Sequence, residues 1–209
     1  RRPPLSAARV SAMLPPVRAR TFNEARYYLM VTPCARCGKG PWVFDGPVSP
    51  SQGESQREVE VHCESCGARE ALRISCEHPV ASASPGAECI NPTDEPSRII
   101  DLGQWLGLFY LLIESAASEK TKPGARRLGY QAGLCLAEAL KFYDNGRLPP
   151  EDAFFSETTR ELFRQDPDRY ARPKLEEIQS KLPGLRAMAR RVARDERAPA
   201  QRWWRFWRR

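Results

Sequence analysis

The chain has 209 residues, 41% of them hydrophobic and 28% charged, with a net charge of +7. That balance excludes a chain disordered throughout. The one long apolar stretch, Leu102 to Ile113 between Asp101 and Glu114, is too short for the ~20 residues that cross a bilayer.

The charge is concentrated at the ends. Residues 1–20 hold five arginines and no acid, +5, and residues 185–209 hold nine arginines against Asp195 and Glu196, +7, which leaves −5 for the middle. Residues 1–20 also lack an apolar run, so no secretory signal is expected there. They read as a flexible basic segment, with Met13 an internal candidate for the start.

Residues 21–90 read as the first domain. Thr21 and Glu24 fit a capping box, predicting a short helix from Phe22 to about Tyr28 with Ala25, Tyr28 and Leu29 inward. Two matched units follow, Cys34-Ala35-Arg36-Cys37-Gly38 and Cys63-Glu64-Ser65-Cys66-Gly67. Two residues between thiolates let a tight turn aim both sulfurs at one ion, and the glycine supplies a positive φ. Trp42-Val43-Phe44 reads as a strand, Glu58 to Val61 alternates as its returning partner, and Ala71 to Ile74 can add a third. Residues 46–57 are the loop between the first two strands.

Over residues 30–76, C-x-x-C-G repeated about a hairpin resembles the zinc-ribbon superfamily. The resemblance implies one zinc ion on Cys34, Cys37, Cys63 and Cys66 and carries no function with it. A shell of four thiolates leaves no open position, so the zinc is expected to be structural rather than catalytic. A redox role for one C-x-x-C needs an isolated motif at a helix start. Cys76, His78 and Cys89, with His62, offer a weaker second metal set, and Cys135 falls in an apolar helical pattern.

Residues 91–97 are rich in helix breakers and read as a linker to a helical domain over 98–184. Its first predicted helix spans 98–119, capped by Ser97 and apolar on nearly every side. The second spans 125–143 after a turn at Lys122-Pro123-Gly124, places Leu128, Ala132, Cys135, Leu136, Ala139 and Phe142 on one face, and ends at Asp144-Asn145-Gly146. Shorter helices are expected from Ser156 to Arg164, from Asp166-Pro167, and from Pro173 to Lys181. The fold class is therefore α+β.

The last stretch, residues 185–209, reads as a basic amphipathic tail. Leu185, Met188, Ala189 and Val192 share one helical side and Arg186, Arg190, Arg191, Arg194 and Arg197 the other. Ala198-Pro199 is expected to act as a hinge before a nine-residue end. There helical geometry separates Trp203, Trp204, Phe206 and Trp207 from Arg202, Arg205, Arg208 and Arg209. Nine residues do not hold a helix alone in water, so this end is expected to fold against a partner. Nucleic acid, an anionic membrane surface, a protein groove and the protein's own body compete for it.

No phosphate loop, nucleophile elbow or H-E-x-x-H is present, and no catalytic residue is assigned. The sequence thus reads as a cytoplasmic, bacterial-type adaptor with a structural zinc, acting with nucleic acid or a nucleic-acid-associated complex. A membrane-surface or partner-docking adaptor is the alternative, and an unfamiliar enzyme the third.

Overall fold

A computed structural model describes residues 14–46, 55–78 and 90–202, with side chains through Glu196 in the last helix. Its strands are β1 (Val17–Ala19), β2 (Trp42–Phe44), β3 (Gln56–Cys63) and β4 (Arg69–Cys76). Its helices are α1 (Phe22–Val31), α2 (Leu102–Ser118), α3 (Lys122–Leu140), α4 (Glu157–Gln165), α5 (Arg172–Lys181) and α6 (Leu185–Arg202). The mixture fits the expected α+β class. None of these helices is long and apolar enough to cross a membrane.

The sheet runs β1-β4-β3-β2. β2 pairs antiparallel with β3, setting Trp42 opposite Cys63, and β3 pairs antiparallel with β4. β1 was not expected. It lies in the segment read as flexible and pairs parallel with β4, Val17 opposite Ile74 and Ala19 opposite Cys76. Its burial alternates, Val17 and Ala19 inward and Arg18 outward. That period-two pattern decides the edge of the sheet although only three residues carry it.

α1 runs three residues past its expected end and serves two cores. Phe22, Ala25 and Leu29 pack into the sheet core with Trp42, Val61, Leu72 and Ile74. Tyr27 is buried in the helical core, its ring centroid 5.7 Å from that of Trp105. Tyr28, expected inward, is half-buried where both cores meet.

Residues 91–97 are not a loose connector. Asn91 and Ser97 are buried, and Lys141 Nζ donates to the carbonyls of Asn91 and Thr93 at 3.0 and 2.8 Å. Arg20 is also buried, paired with Glu77 at 3.0 Å and with Glu95, so one charge counted with the basic N-terminus is neutralised inside the fold. A sequence rich in breakers forbids a helix, but it does not forbid fixed hydrogen bonds.

Two helix starts also differ from expectation. Asp101, not Ser97, caps α2: its side chain accepts from Gln104 N at 2.7 Å while Gln104 Oε1 accepts from Asp101 N at 2.9 Å. Ser97 Oγ instead accepts from Ile99 N and Ile100 N in the preceding turn. Thr121 caps α3, and Pro123 sits within its first turn, where a missing N–H has no helical partner to lose.

α3 ends earlier than expected, at Leu140, in tightened bonds from Phe142 N to Ala139 O and from Tyr143 N to Leu140 O. Tyr143 Oη, donating to Tyr170 O at 2.6 Å, holds the chain beyond it. On α2, buried through Trp105, Leu106 and Phe109, Leu111 stays 54% exposed, so that helix is not enclosed on every side.

α6 continues through Pro199, where a hinge was expected. Proline removes one backbone donor and crowds the preceding turn at a cost of ~3 kcal/mol, which weakens a helix without necessarily ending it. The first half of α6 is no free tail. Met188 and Val192 are buried against Tyr130 of α3, with Leu134, Leu185 and Ala189 around them.

Candidate metal centre

Two turns carry the centre, one following α1 and one joining β3 to β4. In the first, Gly38 N donates to Cys34 O at 2.7 Å and Cys34 N donates to Lys39 O. In the second, Gly67 N donates to Cys63 O at 2.8 Å and Cys63 N to Ala68 O at 2.8 Å. Gly38 and Gly67 both take φ of 68°, a conformation in which a side chain is costly. The matching φ makes the two turns copies of one local shape.

The sheet brings the copies together. Trp42 pairs with Cys63, and Glu64 N donates to Pro41 O at 3.0 Å, so the strand leaving the first turn lies against the strand entering the second. The four Sγ atoms of Cys34, Cys37, Cys63 and Cys66 lie within 4.8 Å of one another. Cys34 and Cys66 are 3.8 Å apart at sulfur, as are Cys37 and Cys63. Those separations are far beyond the ~2.05 Å of a disulfide. Four such close sulfurs can hold a metal ion.

The thiols sit in unequal fields. Burial opposes ionisation of Cys63, but the backbone N–H groups of Cys66 and Ser65 outweigh it and bring the thiol down to about 7. The N–H of Ala68 favours the Cys66 thiolate, yet burial and the three neighbouring sulfurs push that thiol up to about 11. Four thiolates crowded together without a cation would repel, so an ion arriving here displaces protons as it binds.

The second metal set is not assembled among the described residues. Cys76 faces the sheet core, where burial and then the charge of Glu24 push its thiol up to about 12. His62 is held at Nδ1 by Asp45. Cys89 lies outside the described residues. Cys135 is fully buried in the helical core, as its apolar surroundings in the sequence suggest.

Of the C-terminal residues expected to meet a partner, Arg202 closes α6. Trp203, Trp204, Arg205, Phe206, Trp207, Arg208 and Arg209 lie outside the described residues.

Besides Asp101 at the head of α2, two further buried carboxylates, Glu24 and Glu138, lie outside what the sequence predicts. In the sequence Glu24 is only a capping residue. Its N–H is indeed taken by Thr21 Oγ1 at 3.1 Å, but its carboxylate accepts from Arg20 N, one residue before the cap. Glu138 on α3 pairs with Lys141 at 2.9 Å, with both largely buried. Burial raises both carboxyls above the ordinary range, Glu138 to about 7 against the opposing pull of Lys141. The i, i+3 spacing of Glu138 and Lys141 was the only sequence signal for this pair.

Comparison of the chain with protein-family models, curated proteins and solved structures finds no match.

Proposed function

We propose that this chain is a zinc-stapled binding module that works on nucleic acid, or within a nucleic-acid-associated complex, and that it does no chemistry of its own. The observation carrying this reading is the four-sulfur cluster. An Sγ–Sγ distance of 3.8 Å is the edge of a tetrahedron whose corners lie ~2.3 Å from its centre, the zinc–thiolate distance. Four sulfurs fill the shell of such an ion and leave no position for water or substrate, so the zinc staples the two turns.

Basic charge supports nucleic acid as the partner. The net charge is +7, and nine arginines fall within residues 185–209, the composition expected of a surface that meets phosphates. The reading is tested on full-length protein purified from its host with zinc in the buffers. Metal analysis is expected to find about one zinc per chain, and ultraviolet crosslinking in cells is expected to recover nuclease-sensitive nucleic acid on the protein. A metal-free protein with an intact fold would sink the zinc assignment. Crosslinked material that resists nuclease, or none at all, would sink the partner.

A further inference from the structure

α6 divides its two sides unequally between protein and solvent. Met188 and Val192 are buried against α3, and Asp195 is held by Arg126 of α3 at 2.7 and 3.0 Å. These contacts fix the rotation of the helix about its axis. At 100° per residue, Arg186, Arg190 and Arg194 fall within an 80° arc opposite the Met188 and Val192 side. All three are exposed, and among the described residues none of them pairs with a carboxylate. Four-residue steps space them by ~6 Å, so the row is ~12 Å long.

We infer that this row is a docking surface for the phosphate backbone of a nucleic-acid duplex, engaged without regard to sequence. The inference rests on the nucleic-acid reading above and specifies its interface. Over residues 186–194 the exposed arc offers guanidinium groups, with no aromatic to stack an unpaired base and no asparagine or glutamine to read an adenine edge. Guanidinium contacts to phosphate position a protein on the backbone and carry no sequence information, whereas the guanine contact open to the same group would show as a preference between duplexes of unrelated sequence. A duplex presents a phosphate charge every ~1.7 Å, twice the density of one strand, and releases more counterion per contact.

A membrane is the poorer fit to this row. An interfacial helix spends its apolar side on lipid, and on α6 that side is already spent on α3. Charge also excludes the chain's own end as the occupant, since residues 202–209 add four arginines and no acid.

The test uses zinc-loaded, full-length protein and the triple variant Arg186→Gln, Arg190→Gln, Arg194→Gln. Glutamine keeps helix propensity close to that of arginine, and unchanged far-ultraviolet circular dichroism and zinc content establish that the fold is kept. Binding is followed by fluorescence anisotropy of two labelled 20-base-pair duplexes of unrelated sequence, of a single strand, and of vesicles with and without anionic lipid.

The wild type is expected to bind both duplexes with affinities within threefold, and to lose at least ~40-fold between 50 and 200 mM salt, as three phosphate contacts require. The triple variant is expected to bind duplex at least tenfold more weakly at 50 mM salt, with its log–log salt slope shallower by about 2.7. Duplex binding unchanged in the variant overturns the row as the interface while leaving the nucleic-acid reading intact. A single strand bound tenfold tighter than duplex, or one duplex strongly preferred over the other, overturns the duplex-backbone assignment. Failure of every nucleic acid to bind at 50 mM salt overturns both readings, and a variant that then loses only anionic vesicles assigns the row to a membrane surface.

Discussion

Thr159 Oγ1 donates to Asp101 Oδ2 at 2.7 Å, joining the first turns of α4 and α2 inside the helical core. The same carboxylate accepts from Phe155 N at 3.0 Å, while its other oxygen caps α2 through Gln104 N. Asp101 is fully buried. Asp101→Ala removes a helix cap, worth ~1 kcal/mol, and takes the acceptor from the partly buried N–H of Phe155, at ~1–3 kcal/mol, while the Thr159 hydroxyl keeps Ser156 O as an acceptor at 2.9 Å. A loss of about 2–4 kcal/mol is expected from urea unfolding. A loss under 1 kcal/mol would show that water or a shifted α4 replaces the carboxylate.

Glu138 sets a pH dependence. Burial lifts its folded-state pKa to about 7, against the pull of Lys141, from an ordinary carboxylate value. The folded protein therefore holds this proton more tightly than the unfolded chain does. The destabilisation is absent below about pH 4.5, grows as pH rises towards 7, and is constant above it. The shift corresponds to roughly 3 kcal/mol at full ionisation. Glu138→Gln should match the wild type near pH 4.5 and exceed it in stability at pH 8. Taking the difference between the two proteins cancels any acid effect on the metal centre. A difference independent of pH would refute the assignment.

Metal removal should unfold one core before the other. The sheet core contains Cys34, Cys63 and Trp42, whereas α2 and α3 bury a separate cluster around Leu106, Phe109 and Leu136. A strong zinc chelator is expected to abolish the near-ultraviolet signal of Trp42 while most ellipticity at 222 nm persists. Cys66→Ser should behave as the chelated wild type. Loss of both signals together would mean that the helical half cannot stand without the sheet.

α6 should be releasable without unfolding the rest. A methyl carbon built on Gly133 of α3 would stand 2.9 Å from Leu185 Cδ2 and 3.1 Å from Met188 Cε. Those side-chain ends can yield to one methyl but not to a leucine. Gly133→Leu is expected to raise the rate of tryptic cleavage at Arg190 and Arg191 by about tenfold or more, as local opening becomes cheaper, with the melting temperature lowered by a few degrees. Unchanged cleavage would mean that α6 is held by contacts other than this crossing.

The sequence made the repeated features legible. Two C-x-x-C-G units located both turns and the strands between them, because identical local chemistry demands identical local geometry. The same held for α4, where Ser156 stands as the cap and accepts from Thr159 N at 3.1 Å. What stayed hidden depended on partners distant in the chain. Val17–Ala19 became a strand only because Ile74 and Cys76 offered an edge. Asn91 and Thr93 became fixed only because Lys141 reached them. The arginine side of α6 was visible as a pattern, but its outward direction follows from Met188 and Val192 finding α3.

The two faces of α1 tie the cores into one thermodynamic account. Cys34 follows three residues beyond the end of a helix whose Tyr27 is fixed against Trp105. Order in the helical half thus pre-positions the first pair of sulfurs and lowers the entropy that metal capture must overcome. By reciprocity, whatever tightens the helical core also tightens the hold on the ion, and the converse holds equally. A peptide of residues 30–76 alone should accordingly bind metal more weakly than the whole chain. The difference between the two affinities measures how far α1 transmits the state of one core to the other.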